Sequence, residues 1–307
     1  MERSEASARV AEAVHDLASD VVSALKGGDH SAARGGVTGT EGDGPWLAAV
    51  RMLGPDVLLP ALVHGRPPHP QDVDACRRAA ATFPPRADSS PVTVWSHWAL
   101  TRMSDHPDAR PAAPGSPAGA GPEHASGSPV GLAPEYGPGS PAGSAPEHAS
   151  VPPAGSAPEY GPDHDGGSDG ARDAWPAAVP WQQLAHQLAL LAPLAVPGDT
   201  ATAAAHGHAA LAESAVARVA RQRPVDLARG FVRAVRRRDW LQAAAAGRWL
   251  AVVDGVPETL GLDSGLDFVL LMGGADPRVD LHVHAAQHFR TLRSARAGRE
   301  DGTGVRA

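Results

Sequence analysis

The sequence predicts an all-α fold, two helical regions separated by a long linker, and three observations point there. Apolar residues recur at spacings of three and four in both terminal thirds of the 307-residue chain. No stretch alternates apolar and polar residues at period two, as a half-buried strand would. Between the periodic regions lies a twelve-residue unit in four copies, from GSPAGAGPEHAS at Gly115 to VPPAGSAPEYGP ending at Pro162. The expected organisation is an N-terminal helical region over 1–103, a disordered linker over 104–173, a C-terminal helical bundle over 174–297 and a polar tail over 298–307.

The first helix follows from Val10, Val14, Leu17, Val21 and Leu25, one amphipathic stripe ended by Gly27 and Gly28. Trp46–Leu53 and Asp56–Val63 read as short helices divided at Gly54-Pro55. Asp72–Phe83 reads as a helix between Pro70 and Pro84. Ser90 and Pro91 give an N-cap and a first-turn proline for a helix through Met103.

Proline in every repeat denies the linker the hydrogen bonds of helix or sheet, and almost nothing in it is large and apolar. Such a segment cannot offset its ordering entropy. A packed solenoid needs a buried apolar position in each unit, and Val130 and Leu132 occur in one copy only. Asp163, Asp165, Asp169 and Asp173 form an acidic cluster in which Gly167 and Pro176 fall where a calcium loop needs ligands. They read as linker.

In the C-terminal region Pro180–Leu194 and His208–Arg221 read as helices. Pro224 starts another, with Leu227, Phe231, Val232 and Val235 together and Arg229, Arg233, Arg236 and Arg237 opposite. Trp240–Val253 and Pro257–Met272 follow, and Asp276-Pro277 starts a last helix reaching about Leu292. Val225 to Pro257 resembles a single tetratricopeptide unit, with its tight turn at Arg238-Asp239-Trp240, small Ala245, aromatic Trp249 and closing Pro257. Arg233 and Arg236 depart from the family pattern, in which a small residue and an aromatic stand there. The resemblance implies an antiparallel helix pair.

Composition excludes several chemistries. The chain has one lysine against 26 arginines and neither isoleucine nor asparagine, the bias of a high-GC bacterial gene. Lys26 precedes two glycines, so it cannot complete a P-loop, and a kinase site or pyridoxal Schiff base lacks its lysine. A single cysteine, Cys76, rules out an intrachain disulfide and Cys-rich metal or iron–sulfur sites. It stands beside Arg77 and Arg78, which would lower its pKa if it were exposed; packing is the expected role. Glu2, Arg3 and Glu5 interrupt any secretory leader. The best spanning candidate, Ala174–Gly198, holds four prolines and several polar residues and fails as a membrane helix. A cytoplasmic protein without membrane association is expected.

Three functional readings remain. Asp280, His284 and His288 stand at i, i+4 and i+8, one helix face with a carboxylate and two imidazoles, as a metal or proton-relay site needs. His282 lies about 160° around the axis and is not expected to join them. An enzyme or metal protein would use that face, although a metal would need further ligands. The arginine face over Arg229–Arg237 is the basic patch that could contact phosphates in nucleic acid. The leading expectation is a non-enzymatic protein-interaction or regulatory module without cofactor, in which Arg229, Arg233, Arg236 and Arg237 meet another protein. Nucleic acid is disfavoured because the whole chain carries net charge −7. The acidic linker, with Glu123, Glu135, Glu147 and Glu159, is a further expected counterpart in cis.

Overall fold

A computed structural model describes residues 2–27, 43–104, 179–198 and 208–303. The fold is all-α: every regular element among the described residues is a helix. The repeats and the Asp163–Asp173 cluster lie outside the described residues, as does the expectation that the linker is disordered.

Helix α1 (Glu2–Gly27) buries Val14, Leu17 and Val21 of the expected stripe, with Ala18 and Val22 beside them, while Val10 and Leu25 are half-buried. Helix α2 (Asp43–Leu53) stops at Gly54, whose φ of +61° suits glycine. A 3-10 turn (Gly54–Leu58), buried throughout, and α3 (Leu59–Val63), buried at Leu59 and Pro60, follow. Among the described residues Gly44–Val63 is the stretch long and apolar enough to cross a membrane, with mean hydropathy 1.5. The 174–198 stretch expected to come nearest lies partly outside the described residues. Gly44–Val63 is mostly buried within the protein, where it forms part of the core.

Helix α4 (Pro70–Thr82) begins earlier than its apolar pattern suggests, because His69 Nδ1 accepts from Gln71 N at 3.3 Å and caps it. Cys76 packs at its centre with no exposure, and burial raises its thiol pKa. Neighbouring arginine does not activate it. Helix α5 (Pro91–Ser104) starts at the expected cap, where Ser90 Oγ accepts from Thr93 N at 3.3 Å.

The C-terminal part comprises α6 (Trp181–Leu190), α7 (His208–Ala212), α8 (Ala215–Gln222), α9 (Pro224–Arg236), α10 (Trp240–Val252), α11 (Leu262–Gly273) and α12 (Pro277–Thr303), with 3-10 turns at Ala192–Leu194 and Glu258–Leu260. Three expectations need correction. His208–Arg221 is two helices, because Ser214 leaves helical geometry to cap α8, accepting from Ala217 N at 3.2 Å. The helix expected from Pro257 starts only at Leu262, since Gly261 adopts a left-handed φ of +58°. Finally, α12 runs past Leu292 to Thr303, into the segment expected to be a tail.

Helix α10 is the centre. Ala243 through Ala251 are all buried, and α6, α9, α11 and α12 pack around it, as expected of a helix with no solvent face. Helices α9 and α10 form the tight pair that the tetratricopeptide-like pattern implies, turning through Arg238 at φ +57°. Gly230 permits the approach of α9 to α6: a Cβ there would lie 2.4 Å from the Cβ of Ala185. The N-terminal helices add to the same core rather than building their own. Helix α1 packs on both α2 and α12, and residues 1–111 and 169–307 make up one compact unit.

Candidate functional site

The acid–imidazole face of α12 is divided between two neighbours. Asp280 accepts from Lys26 Nζ of α1 at 3.0 Å, and His284 Nε2 lies 2.8 Å from the other Asp280 oxygen. Burial lowers the pKa of His284; Asp280 pulls it up and Lys26 pushes it down. His288 turns instead toward His64 at the end of α3, the rings edge to face at 6.3 Å. Its pKa too is lowered, first by burial and then by His64. The Nε2 atoms of both rings are buried without a hydrogen-bond partner. Among the described residues no group of three or more His, Cys, Asp or Glu side chains is arranged to hold a metal ion. Asp280, His284 and His288 therefore share a helix face but not a centre; Asp280, through Lys26, ties α1 to α12.

The four arginines do share a site. Arg229, Arg233, Arg236 and Arg237 are all exposed, and all line one open groove of about 700 Å³. Its remaining walls are Trp181 of α6, Val225, Ala228 and Val232 of α9, and Pro257, Thr259 and Leu260. Val232 thus belongs to the groove, not wholly to the core stripe in which the sequence placed it; one turn from both Arg229 and Arg236, it shares their side of α9. The guanidinium of Arg233 lies over the Trp181 ring, 5.8 Å from its centroid. Arg229 contacts Asp226 at 3.3 Å. Asp226 also holds Arg223 at 2.7 Å, so one carboxylate serves two cations. Among the described residues Arg233, Arg236 and Arg237 form no ion pair. The groove is cationic at its rim and partly apolar on its floor.

A third constellation escaped the reading of the sequence. Arg248 of α10, Asp56 of the first 3-10 turn and His282 of α12 meet inside the core with exposures of 0%, 1% and 9%. Arg248 Nη1 donates to Asp56 Oδ1 at 2.7 Å and Nε to the Ala195 carbonyl at 3.2 Å. The guanidinium stacks over Phe289 at 5.7 Å, while Nη2 has no hydrogen-bond partner. His282 Nδ1 lies 3.4 Å from Arg248 Nη1 and 3.9 Å from Asp56 Oδ2. Since arginine only donates, that contact makes Nδ1 the acceptor and puts the ring proton on Nε2. Burial, then the charge of Arg248, pushes His282 down to about 3. Burial raises the pKa of Asp56, with the charge and hydrogen bond of Arg248 opposing.

Two signals for this cluster were present in the sequence. Arg248 is a lone charge in AAAAGRWLAV and Asp56 a lone charge in LGPDVLLP; a charge inside an apolar run must find a partner or leave the core. His282 faces inward for the same geometric reason that separates it from His284 and His288. Compared with protein-family models, curated proteins and solved structures, the chain matches none, so any reading of its function rests on the geometry above.

Proposed function

We propose that the protein is a non-enzymatic interaction module whose α9 groove binds an acidic segment of a partner protein. The observation behind this is the convergence of Arg229, Arg233, Arg236 and Arg237 on one groove with too few carboxylates to neutralise them. An occupant bearing Asp or Glu supplies the missing charge, and Arg forks recognise carboxylates in two-point contacts. Val225, Val232 and Leu260 favour a ligand that also offers apolar side chains, which a polypeptide has and a phosphodiester chain does not. Helix α9 has 13 residues, about 20 Å of axis, suited to a short peptide. The net charge of −7 opposes any polyanion at long range, so the apolar part of the groove is what favours a peptide over nucleic acid.

The test is fluorescence anisotropy with a labelled glutamate-rich peptide containing leucines, alongside a neutral peptide, single-stranded DNA and duplex DNA. The expected result is peptide binding that weakens by about tenfold or more when the four arginines are reversed to glutamate. Each exposed change should cost under about 0.5 kcal/mol in folding stability. Sub-micromolar, salt-sensitive DNA binding abolished by the same reversal would replace this reading with the nucleic-acid one.

A further inference from the structure

A second cavity, of about 250 Å³, lies above the buried charge cluster, with Asp56 and His282 in its wall. It is away from the arginine groove and shares no lining residue with it. Its volume is that of about eight water molecules, just under the usual range for small-molecule sites. Leu53 and Leu241 supply apolar wall, and the half-exposed Met52 and Leu190 stand where the cavity meets solvent. Its walls come from both segments of the chain, Asp56 and Met52 from the first and Leu241 and His282 from the second.

The charges on this wall select among ligands. Asp56 commits Oδ1 to Arg248. Oδ2 is 3.9 Å from His282 Nδ1, too far for a hydrogen bond, so it can accept from another donor. Asp239, which caps α10 by accepting from Gln242 N at 3.2 Å, adds a second carboxylate to the lining. Arg278 also lines the cavity, but its guanidinium is held by Asp276 through contacts of 3.0 and 2.7 Å. Arg248 does not line it. The neutral sum of these pairs leaves Asp239 uncompensated, and an anion entering would face two carboxylates in a partly dry space.

We propose that this cavity is a binding site for a small organic amine, its ammonium head donating to Asp56 and its short aliphatic body lying along Leu53 and Leu241. A head of this kind uses the acceptor that Asp56 retains.

The experiment uses the full chain with methyl-labelled methionine and titrates n-butylammonium chloride against sodium butyrate at matched ionic strength, followed by NMR. The expected result is a saturable shift of the Met52 methyl with butylammonium, about tenfold stronger than with butyrate. The Met103 methyl, buried elsewhere in the core, should not respond. Ala189→Trp fills the cavity from α6 without touching the charge cluster. It should abolish the Met52 response while leaving the Met103 signal native-like. Asp56→Asn, where it folds, should erase the preference for the amine. No saturation with butylammonium, an equal response to butyrate, or an unchanged response in a folded Ala189→Trp protein would overturn the proposal.

Discussion

Arg248 stands in a helix whose neighbouring residues are alanine, glycine, tryptophan and leucine, and it holds Asp56 from 192 positions away. Removing one member of a buried pair leaves the other charge without compensation. Arg248→Met should therefore cost about 3–5 kcal/mol, read by urea denaturation, and Asp56→Leu added to it should restore most of the loss. His282 sets a pH dependence. Its pKa in the folded protein is about 3, against roughly 6.5 in an unfolded chain, so between these values the unfolded state binds the extra proton. The contribution is fully present above about pH 6.5 and is lost as pH falls toward 3, by about 1.4 kcal/mol per pH unit. His97, His284 and His288 are shifted in the same direction and steepen the fall. His282→Gln should flatten the acid limb by about one proton in a pH series of denaturation midpoints; an unchanged slope would show that His282 takes up its proton in the folded protein as readily as in the unfolded chain. Neither Asp56 nor Arg248 invites pairing from local spacing. Their sequence signal is the isolation of each charge, and only the tertiary contact says what resolves it.

At the scale of elements, the sequence was most legible where local chemistry sets a boundary. Pro91 behind Ser90 and Pro224 fall where the cap and the fixed φ angles put them. It was least legible where an apolar stripe continues through a break. Leu211, Val216 and Val219 look like one helix, yet Ser214 between them caps a new one. The end of α12 fails in the opposite way. After Leu292 the stripe stops, but Arg293 reaches back to the carbonyls of Ala251 and Val253 at 3.0 Å each and to Asp254, fixing the helix by polar contacts that periodicity does not register. The arginine face was legible as a stripe; its groove was not, because Trp181 and Leu260 come from other elements. The α6–α9 approach yields a test of its own. Gly230→Ala removes glycine's conformational cost in a helix, worth about 0.5–1 kcal/mol, but forces the new methyl against Ala185. The expected net is a loss of about 1–2 kcal/mol, and Ala185→Gly should rescue it.

For the whole molecule, the two periodic regions proved to be one core. Lys26–Asp280, Asp56–Arg248 and the packing of α1 on α12 join positions far apart in the sequence. Amphipathic patterns tell which face of a helix is buried, never against which partner, so this joining was not readable from the stripes. Residues 1–111 and 169–307 produced as separate chains should therefore associate into a 1:1 complex with native-like helicity. Each alone should show exposed apolar surface and no cooperative melting. Two independently folded fragments, by circular dichroism and gel filtration, would contradict the shared core.

The same joining has a consequence during synthesis. Lys26 and Asp280 are 254 residues apart, and a ribosome adding about 5–20 residues per second makes the first wait roughly ten to fifty seconds for the second. Through that interval the side of α1 that α12 will cover stays bare, although α2 and α3 are already at hand. A nascent chain in this condition is a natural client for chaperones that cover exposed apolar surface, and codons that slow translation between the two segments would lengthen its exposure.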